Sequence, residues 1–540
     1  MKRLLYLIHR WAGIVVALFM LMWFVSGLII MYAGSSAVTA SEQLAGRDIL
    51  AIEPGWLSVG EAWQRSAAAR ATLPSIKLRN EAEAKQPFDG DYIASAKLVR
   101  QANHPLWLVE NGASQRFALS AVTGALHLTS IDEAKIIAAN WLQIHADEHR
   151  ADENITATIH HLDTGIQDSS VRNYDMLRPF HRFAIDDSGR ELLISERTGE
   201  VVRDSTPLQR ALYWSGNWIH LLRPIEALGS ADARRTVQMW SATIAFGACL
   251  TGIIIGWQRW RPGWFGRATY SKGRVHPYRD NWNTWHFWVG LIGGSAALTW
   301  AFSGVMNTNP WQVFSPANAG RTQLSEYQGR QAPAAFLNAR PAATGVDKEI
   351  VELHWRYLGD KTVRYGLTRS GVLITQQSDA ALQQFSETDL LQAATRAARD
   401  VPIAAHALLT DYDSYYYRRG DQSALERPLP VLRVELGDSA GTRFYLDPQS
   451  GRVLLKQDAS RRVYRWLYSA LHHWDFGWLQ WRPLWNIWML PLVAMGCVLG
   501  ATSVVLGWKR LQIEFKPRKK KKTRVAPAAG GHPIASDLPG

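Results

Sequence analysis

Four apolar stretches of roughly membrane-spanning length divide the chain. They cover residues 4–32, 233–257, 282–306 and 484–508, and a helix needs about 20 mostly apolar residues to cross a bilayer core. Two long polar insertions, 33–229 and 307–481, connect the first stretch to the second and the third to the fourth. Each insertion is long enough to bury a core of its own. The pattern predicts four transmembrane helices and two extramembrane domains.

Short β-type runs with a central turn recur within both insertions. Four of them, at 118–126, 194–202, 366–374 and 445–454, have a glycine at the turn. Each run predicts a β-hairpin in which glycine supplies the positive φ of the turn. Helical patterns lie between them, at 132–142 and 387–400. The insertions are therefore predicted to be α+β, with helices packed on small antiparallel sheets.

The apolar stretches repeat one another in pairs. The first contains H-R-W-A-G from His9 and the third H-F-W-V-G from His286, an offset of 277 residues (286 − 9), and W-x-x-S-G follows in both at the same offset. His220 precedes the second stretch as His472 precedes the fourth, and these two end in G-W-Q-R and G-W-K-R. The chain is thus predicted to consist of two parallel repeats, each of them helix, domain, helix.

Basic residues indicate the orientation in the membrane. The net charge is +13, and the loop between the second and third stretches contains Arg259, Arg261, Arg267, Lys272, Arg274 and Arg279 but only one acidic residue, Asp280. The tail after residue 508 adds nine more cations. By the positive-inside rule this loop and both termini are cytoplasmic, which places both insertions outside. Much of the net positive charge is therefore explained by membrane orientation and does not indicate nucleic-acid binding. The basic residues of the tail are better explained by a solvated tail than by contact with anionic lipid.

The first stretch also has features of a secretory signal. Lys2 and Arg3 precede it, and small residues follow at 37–40. Its length and its match to residues 282–306 favour a retained helix instead.

Several motifs resemble a known family. The segments R-P-L-P-V-L-R-V at 427–434 and Y-L-D-P at 445–448, together with the hairpins, look like PepSY domains. Combined with H-x-W-x-G and the closing G-W-K-R, they resemble the PepSY-associated transmembrane proteins, a bacterial inner-membrane family that includes ferric-siderophore reductases with b-type haem. The resemblance extends from Arg3 to about Leu511. It implies an α+β membrane protein with four transmembrane helices in two parallel repeats and two PepSY-type domains in the periplasm.

The predicted boundaries follow from these patterns. They are transmembrane helix 1 at 1–33, an exterior PepSY-type domain at 34–229, helix 2 at 230–260, a cytoplasmic basic loop at 261–281, helix 3 at 282–306, a second exterior PepSY-type domain at 307–481, helix 4 at 482–510 and a basic cytoplasmic tail at 511–540.

Four histidines are the candidate cofactor ligands: His9, His286, His220 and His472. An imidazole near the membrane is costly unless something binds it. Pairing equivalent residues gives one bis-histidine site toward each face, His9 with His286 and His220 with His472. The resemblance implies that these sites bind the iron of two b-type haems, and bis-histidine ligation suits electron transfer because it leaves no open position. A structural, hydrogen-bonded histidine is the alternative at each position, and His473 competes with His472.

Residues near the four histidines each allow two interpretations. Gly13 and Gly290 could make room for a macrocycle or for a packed helix. Four tryptophans could line a cofactor or anchor the helices at the membrane interface. Of these, Trp11 and Trp288 are expected at the interface and Trp23 and Trp300 within the bundle. The arginines that could pair with haem propionates or with lipid phosphate are Arg10, Arg210, Arg259 and Arg465. A tyrosine cluster at 412–417 is either a substrate contact or a core strand.

The leading functional hypothesis is a membrane cytochrome that reduces an exterior ferric complex such as a ferric siderophore. No G-x-G-x-x-G opens a helix after a strand, so the electron donor would be quinol or a separate reductase. No C-x-x-C-H occurs, which excludes covalent c-type haem. The alternatives are a membrane-anchored PepSY protein with a binding or regulatory role and no redox activity, and a small transporter. No catalytic residue is identified.

Overall fold

The structure, a computed structural model, describes residues 2–33, 37–74, 90–146, 158–166, 169–264, 266–341, 349–375, 383–419 and 422–515. The predicted basic tail beyond residue 515 lies outside these residues. The chain combines long helices with antiparallel sheets, as the α+β prediction expected.

The helices are α1 (Lys2–Tyr32), α2 (Ala40–Ala45), α3 (Val59–Arg65), α4 (Ala67–Thr72), α5 (Ile131–Ala146), α6 (Pro207–Tyr213), α7 (Arg223–Leu228), α8 (Ala231–Arg259), α9 (Asn281–Ile292), α10 (Gly294–Asn307), α11 (Arg321–Gln328), α12 (Ala334–Leu337), α13 (Glu387–Ala398), α14 (Ala459–Tyr464), α15 (Leu471–His473) and α16 (Arg482–Glu514). Two π-helical segments, Trp214–Trp218 and Arg465–Ala470, follow α6 and α14 directly. Short 3-10 helices occupy Ser169–Leu177, Asp186–Ser188, Ser271–Gly273, Pro310–Gln312 and Gly477–Leu479.

The strands are β1 (Ile93–Gln101), β2 (His104–Asn111), β3 (Arg116–Ser120), β4 (Leu126–His127), β5 (Ile159–Gly165), β6 (Phe180–Ile185), β7 (Arg190–Ser195), β8 (Val201–Ser205), β9 (Ile350–Leu358), β10 (Lys361–Thr368), β11 (Leu373–Thr375), β12 (Ile403–Leu409), β13 (Val431–Leu436), β14 (Arg443–Leu446) and β15 (Val453–Gln457).

Within the described residues, three helices are long and apolar enough to cross a membrane: α1, α8 and α16. The predicted third span is not one straight helix, because α9 and α10 bend by 67° at a break between them. Two glycines at the break explain the bend. A Cβ atom on Gly293 would lie 3.0 Å from Met495 Cβ, and one on Gly294 would lie 3.1 Å from Ile253 Cγ1, so both neighbouring helices approach the backbone closely. If the bent pair counts as one span, the spans number four.

These helices pack side by side into a bundle. Helix α1 lies between α8 and α16, α9 packs on α16, and α10 packs on α8. Helix α16 has a glycine where α1 crosses it. A Cβ on Gly500 would lie 2.8 Å from the backbone of Leu21. Small residues at such crossings allow close helix contact without clashes.

The two polar insertions share one central sheet. Its seven antiparallel strands run in the order β11-β10-β9-β1-β2-β3-β4. Strand β1 from the first insertion pairs with β9 from the second, with Ala96 opposite Trp355. One face of the sheet buries an apolar core that includes Trp107 and Trp355. The local patterns predict a separate domain in each insertion, because neither segment alone indicates the pairing of β1 with β9.

Each insertion also forms a lobe with its own four-stranded sheet. The first lobe contains β5 to β8 with α5, and the second contains β12 to β15 with α13, both sheets in chain order. The predicted helices at 132–142 and 387–400 correspond to α5 and α13. All four predicted hairpins are present, and their turn glycines have φ values of +78° at Gly124, +64° at Gly199, +77° at Gly371 and +67° at Gly451.

A buried ion cluster joins the first lobe to the central sheet. Arg47 and Lys97 each contact both Glu200 and Glu352, at N···O distances of 2.9 to 3.2 Å. Burial alone would raise the pKa of Glu200, but the charges of Lys97 and Arg47 outweigh it and lower that pKa to about 2. The same balance holds the pKa of Glu352 well below its usual range. Both carboxylates are therefore ionised and neutralised by their partners.

Candidate functional site

The bundle brings the four predicted histidines together as two facing pairs. The imidazole centroids of His9 and His286 lie 6.3 Å apart, with ring planes at 47°. Those of His220 and His472 lie 6.2 Å apart, with ring planes at 74°. His473 stands beside His472, at 5.3 Å, but the ring that faces His220 is that of His472.

The two pairs lie at opposite ends of α1. His9 belongs to the second turn of the helix, and Ser26, near its other end, contacts His220. These positions are 17 residues apart (26 − 9), which corresponds to about 26 Å at the helical rise of about 1.5 Å per residue. The pairs are therefore separated by most of the length of an apolar bundle.

The first pair is oriented by hydrogen bonds from its neighbouring helices. Nδ1 of His9 lies 3.0 Å from the carbonyl oxygen of Ala248 on α8, and Nδ1 of His286 lies 3.1 Å from Oγ1 of Thr502 on α16. A carbonyl can only accept, so Nδ1 of His9 must carry the proton. The Thr502 hydroxyl donates to the carbonyl of Leu499, so its oxygen accepts from His286. We infer that both rings keep their lone pair on Nε2.

The second pair is held in the same way by serines. Nδ1 of His220 lies 2.9 Å from Oγ of Ser26, and Nδ1 of His472 lies 3.0 Å from Oγ of Ser303. Each serine hydroxyl also donates to a backbone carbonyl of its own helix, so its oxygen accepts the imidazole proton. Among the residues that the structure describes, no hydrogen bond reaches Nε2 of any of the four histidines.

Two tryptophans fix the backbone beside the second pair. Trp23 Nε1 donates to the carbonyl oxygen of His220 at 3.1 Å, and Trp300 Nε1 donates to that of His472 at 3.0 Å. The expectation that these two tryptophans lie within the bundle is therefore confirmed. The serines that contact Nδ1 of His220 and His472 follow these tryptophans by three residues, so one W-x-x-S motif in each half contacts both the backbone and the ring of the histidine.

The segments that contain His220 and His472 have an unusual and shared backbone course. A π-helical segment precedes each histidine, and a non-glycine residue with left-handed backbone follows two positions later, Leu222 at φ +52° and Trp474 at φ +52°. π-Helical turns are rare and occur frequently at functional sites. Sequence patterns did not predict them.

The family model described as the PepSY-associated TM region matches residues 6–368, more than half of the chain. The chain belongs to this family. A comparison with curated proteins gives no match. The matched range includes His9, His220 and His286, whereas His472 lies beyond it, so the pairing of His472 with His220 rests on the sequence repeat and on the geometry.

The glycines near the His9–His286 pair of this PepSY-associated protein differ in whether the surrounding atoms leave room for a side chain. A Cβ on Gly252 of α8 would lie 2.8 Å from Cε1 of His9, so the His9 ring occupies its position only because residue 252 is glycine. A Cβ on Gly13 would meet no described atom within 4 Å, and one on Gly290 would make ordinary contact with Leu499 at 3.6 Å. Helix packing therefore does not require glycine at 13 or 290.

The four arginines proposed as propionate partners differ in their surroundings. Arg210 is engaged by the carbonyls of Ser205 and Gly189, and Arg465 by those of Ser414 and Asp475. These two therefore hold the segments before and around the second histidine pair to the neighbouring loops and strands. Arg259 donates to the hydroxyls of two tyrosines, Tyr6 and Tyr278, at the His9 end of the bundle, and Arg10 is exposed.

The remaining aromatic predictions have mixed outcomes. Trp11 is exposed, while Trp288 contacts the ring of His276. The tyrosine cluster does not form a strand: residues 411–419 are a loop in which Tyr416 and Tyr417 are buried. Tyr416 stacks on Tyr445 of β14, and Tyr417 hydrogen-bonds Asp475. The cluster thus attaches the second lobe to the segment that follows His472.

The donor set fits a bis-histidine haem. Two imidazoles that bind one metal ion from opposite sides, at metal–nitrogen distances of about 2 Å, have centroids roughly 6 Å apart, close to both observed separations. A ligating histidine usually donates its second ring N–H to a nearby acceptor and binds the metal through the other nitrogen. In the described part of the chain no group of three or more His, Cys, Asp or Glu side chains is arranged to hold a metal ion. A porphyrin iron needs only two protein ligands, so that finding does not conflict with the fit.

Proposed function

We propose that the chain is an inner-membrane electron-transfer protein that holds two b-type haems and reduces a ferric complex, such as a ferric siderophore, on the periplasmic side. The proposal rests on one observation: the four histidines form two pairs of facing imidazoles. In every ring Nδ1 is hydrogen-bonded and Nε2 has no partner among the described residues. Membership of the PepSY-associated family supports the membrane setting.

Each side chain has a defined task in this proposal. His9 and His286 would hold the iron of one haem through Nε2, and His220 and His472 would hold that of the other. When bound, such haems supply one-electron transfer by cycling between Fe(III) and Fe(II). Ala248, Thr502, Ser26 and Ser303 keep the proton on Nδ1 and thereby orient the rings. The apolar bundle between the pairs excludes water from the path.

The proposed topology has four spans in two parallel repeats, with the bent pair α9–α10 as the third. The basic loop from 261 to 281 connects α8 to α9 at the His9 end, and this charge supports a cytoplasmic location. Both insertions leave from the opposite end, which supports a periplasmic position for the three sheets. Electrons would then enter near His9 and His286, from quinol or a separate reductase, and leave near His220 and His472.

Aromatic rings next to His472 lead from the bundle toward the sheets. Tyr468 stacks on His472 at 5.2 Å, and Tyr464 lies 5.2 Å from Tyr468. Tyr464 is also in contact with Phe314, which precedes α11 in the second insertion. This arrangement supports the His220–His472 end as the side on which the acceptor docks.

Absorption spectroscopy of the purified protein tests the proposal. We expect a Soret band that shifts on reduction with dithionite and returns when a ferric complex is added, with Fe(II) captured by a chromogenic chelator in equal amount. A protein that lacks the Soret band after expression with adequate haem supply would favour the second candidate, a membrane-anchored binding or regulatory protein without redox activity.

A further inference from the structure

A large cavity lies where the three sheets meet, away from the histidine pairs. Its volume is about 410 Å³, within the usual range of roughly 300–1,000 Å³ for small-molecule sites. Its floor is the central sheet: Lys97 on β1, His354 and Arg356 on β9, and Tyr365 on β10. The walls come from both lobes, with Tyr174 and Glu200 from the first and Leu425, Ser450 and Arg452 from the second.

The floor is the polar face of the central sheet. On β9, Glu352, His354 and Arg356 alternate with Leu353, Trp355 and Tyr357, which belong to the apolar core on the other face. His354 stacks flat on Tyr365, with centroids 4.9 Å apart and planes at 5°. Burial lowers the pKa of His354 to about 4, so this ring is neutral at the pH of most compartments.

The carboxylates that line the cavity already have partners. Glu200 and Glu352 belong to the ion cluster with Arg47 and Lys97, and Glu110 pairs with Arg116 at 3.2 Å. Asp447 accepts from the backbone N–H of Gln449 and from the Ser450 hydroxyl. Glu426 accepts from the N–H and hydroxyl of Ser423.

Two arginines of the lining differ from these residues. For Arg356 and Arg452, no carboxylate of the described chain lies within salt-bridge distance. Nε of Arg356 is buried without a hydrogen-bond acceptor, and its guanidinium contacts the Tyr365 hydroxyl. Arg452 directly follows the turn glycine of the β14–β15 hairpin, as Glu200 follows that of β7–β8. Each lobe thus presents one charge at the same hairpin position, and only the carboxylate is neutralised.

Apolar side chains complete the walls. Leu44, Leu108, Leu367 and Leu425 line the cavity beside Pro428. Guanidinium groups bind carboxylates through paired N–H donors, and apolar walls favour a ligand body that carries no charge.

We propose that this cavity binds a small organic anion, a carboxylate with an apolar or aromatic body, whose charged group is held by Arg356, Arg452 and the Tyr365 hydroxyl. The site is independent of haem and of the proposed redox function. Because both lobes and the shared sheet contribute residues, an occupied cavity bridges the two insertions.

Fluorine NMR on the full chain in lipid nanodiscs tests this site directly. The probe is 4-(trifluoromethyl)benzoate, and its uncharged match is 4-(trifluoromethyl)benzamide, which partitions into lipid without an anionic group. We expect millimolar or tighter saturable binding of the benzoate only. Arg356→Gln and Arg452→Gln should each weaken it about tenfold, as expected for loss of a charge-assisted hydrogen bond, whereas Arg356→Lys should retain part of it.

The control is Arg340→Gln, which removes an exposed arginine that pairs with Glu61 outside the cavity. It should bind the benzoate like the wild type, and thermal unfolding should show that all variants are folded. Equal binding of benzoate and benzamide, unchanged affinity in the Arg356→Gln and Arg452→Gln double variant, or no saturable benzoate binding at millimolar concentration would each overturn the proposal.

Discussion

At the scale of single residues, the four histidines share one hydrogen-bonding arrangement although their partners differ. A carbonyl, a threonine and two serines each accept from Nδ1. In all four rings Nδ1 is hydrogen-bonded and Nε2 has no partner among the described residues, which is the arrangement that a metal-ligating histidine needs. The shared choice of Nδ1 therefore favours a common ligand at Nε2.

Ser303 offers a direct test of this arrangement. Ser303→Ala removes the acceptor for Nδ1 of His472, so the ring loses its orientation, and we expect haem affinity at this site to fall about 10- to 100-fold. Titration of the haem-depleted protein with haemin measures the change. Ser241→Ala is the matched control, because Ser241 is a buried bundle serine that bonds only to carbonyls of its own helix. Equal affinities in the two variants would contradict the role given to Ser303.

Gly252 tests the position of His9. In Gly252→Ala the new methyl group would lie 2.8 Å from Cε1 of His9, so the ring must move, and we expect the haem content to fall by about one per chain. Gly247→Ala on the same helix should leave haem content unchanged, because a Cβ there meets no described atom within 4 Å. Haem per protein is measured on both. A full complement in Gly252→Ala would contradict the requirement for glycine beside the His9 ring.

Sequence repeats pointed to the four histidines and to some of their partners, but not to the residues around the first pair. The repeat at an offset of 277 residues marked His9 and His286, and the tryptophans and serines were part of the same motif. Thr502 and Gly252 had no such mark, because their roles depend on which helix packs against which. One signal for Thr502 was nevertheless present in the sequence: it is equivalent to Thr251, at the same offset that relates Gly256 to Gly507.

At the scale of elements, local patterns predicted the hairpins well and the third span poorly. Glycine at a turn acts through its own φ, so the four hairpins follow from short segments. The bend between α9 and α10 depends on side chains that approach from α8 and α16, which are distant in sequence. Hydropathy alone therefore predicts one straight helix where the structure has α9 and α10.

The close contact at the bend between α9 and α10 leads to a prediction about stability. Gly293→Ala would place a methyl group 3.0 Å from Met495 Cβ, and we expect the free energy of unfolding to fall by roughly 1–3 kcal/mol through overpacking. Gly320→Ala, where no described atom lies within 4 Å of the new Cβ, should have little effect. Thermal unfolding followed by circular dichroism compares the two. Equal unfolding temperatures would mean that α16 yields at this contact.

At the scale of the whole molecule, the two insertions are one structural region joined by strand pairing and by the buried ion cluster. Neither junction could be read from the sequence, since Arg47, Lys97, Glu200 and Glu352 are far apart along the chain and have no motif in common. The central sheet likewise requires β1 to meet β9 across more than 200 residues. Such long-range pairings leave no local pattern.

The ion cluster predicts both a mutational and a pH effect. Glu352→Gln leaves Arg47 and Lys97 with less compensating charge, and we expect a loss of roughly 3–5 kcal/mol in the free energy of unfolding. The exposed pair of Glu53 with Arg100 is the control, since Glu53→Gln should cost no more than about 1 kcal/mol.

Acid should act through the same carboxylates. The pKa of Glu200 is lowered from 4.5 to about 2, so its stabilising charge is fully present above about pH 4.5 and is lost as the pH falls toward 2. The unfolding temperature of the wild type should therefore fall over that range, and less steeply in Glu200→Gln. Parallel pH profiles in the two proteins would contradict a stabilising role for the cluster.

The most direct test of the account is a pyridine haemochrome assay on the wild type and on single alanine variants at His9, His286, His220 and His472. We predict two b-type haems per wild-type chain and about one in each variant, with the loss at the same site for both members of a pair. A wild-type chain without haem, or an unchanged count in all four variants, would contradict the proposed electron path across the membrane.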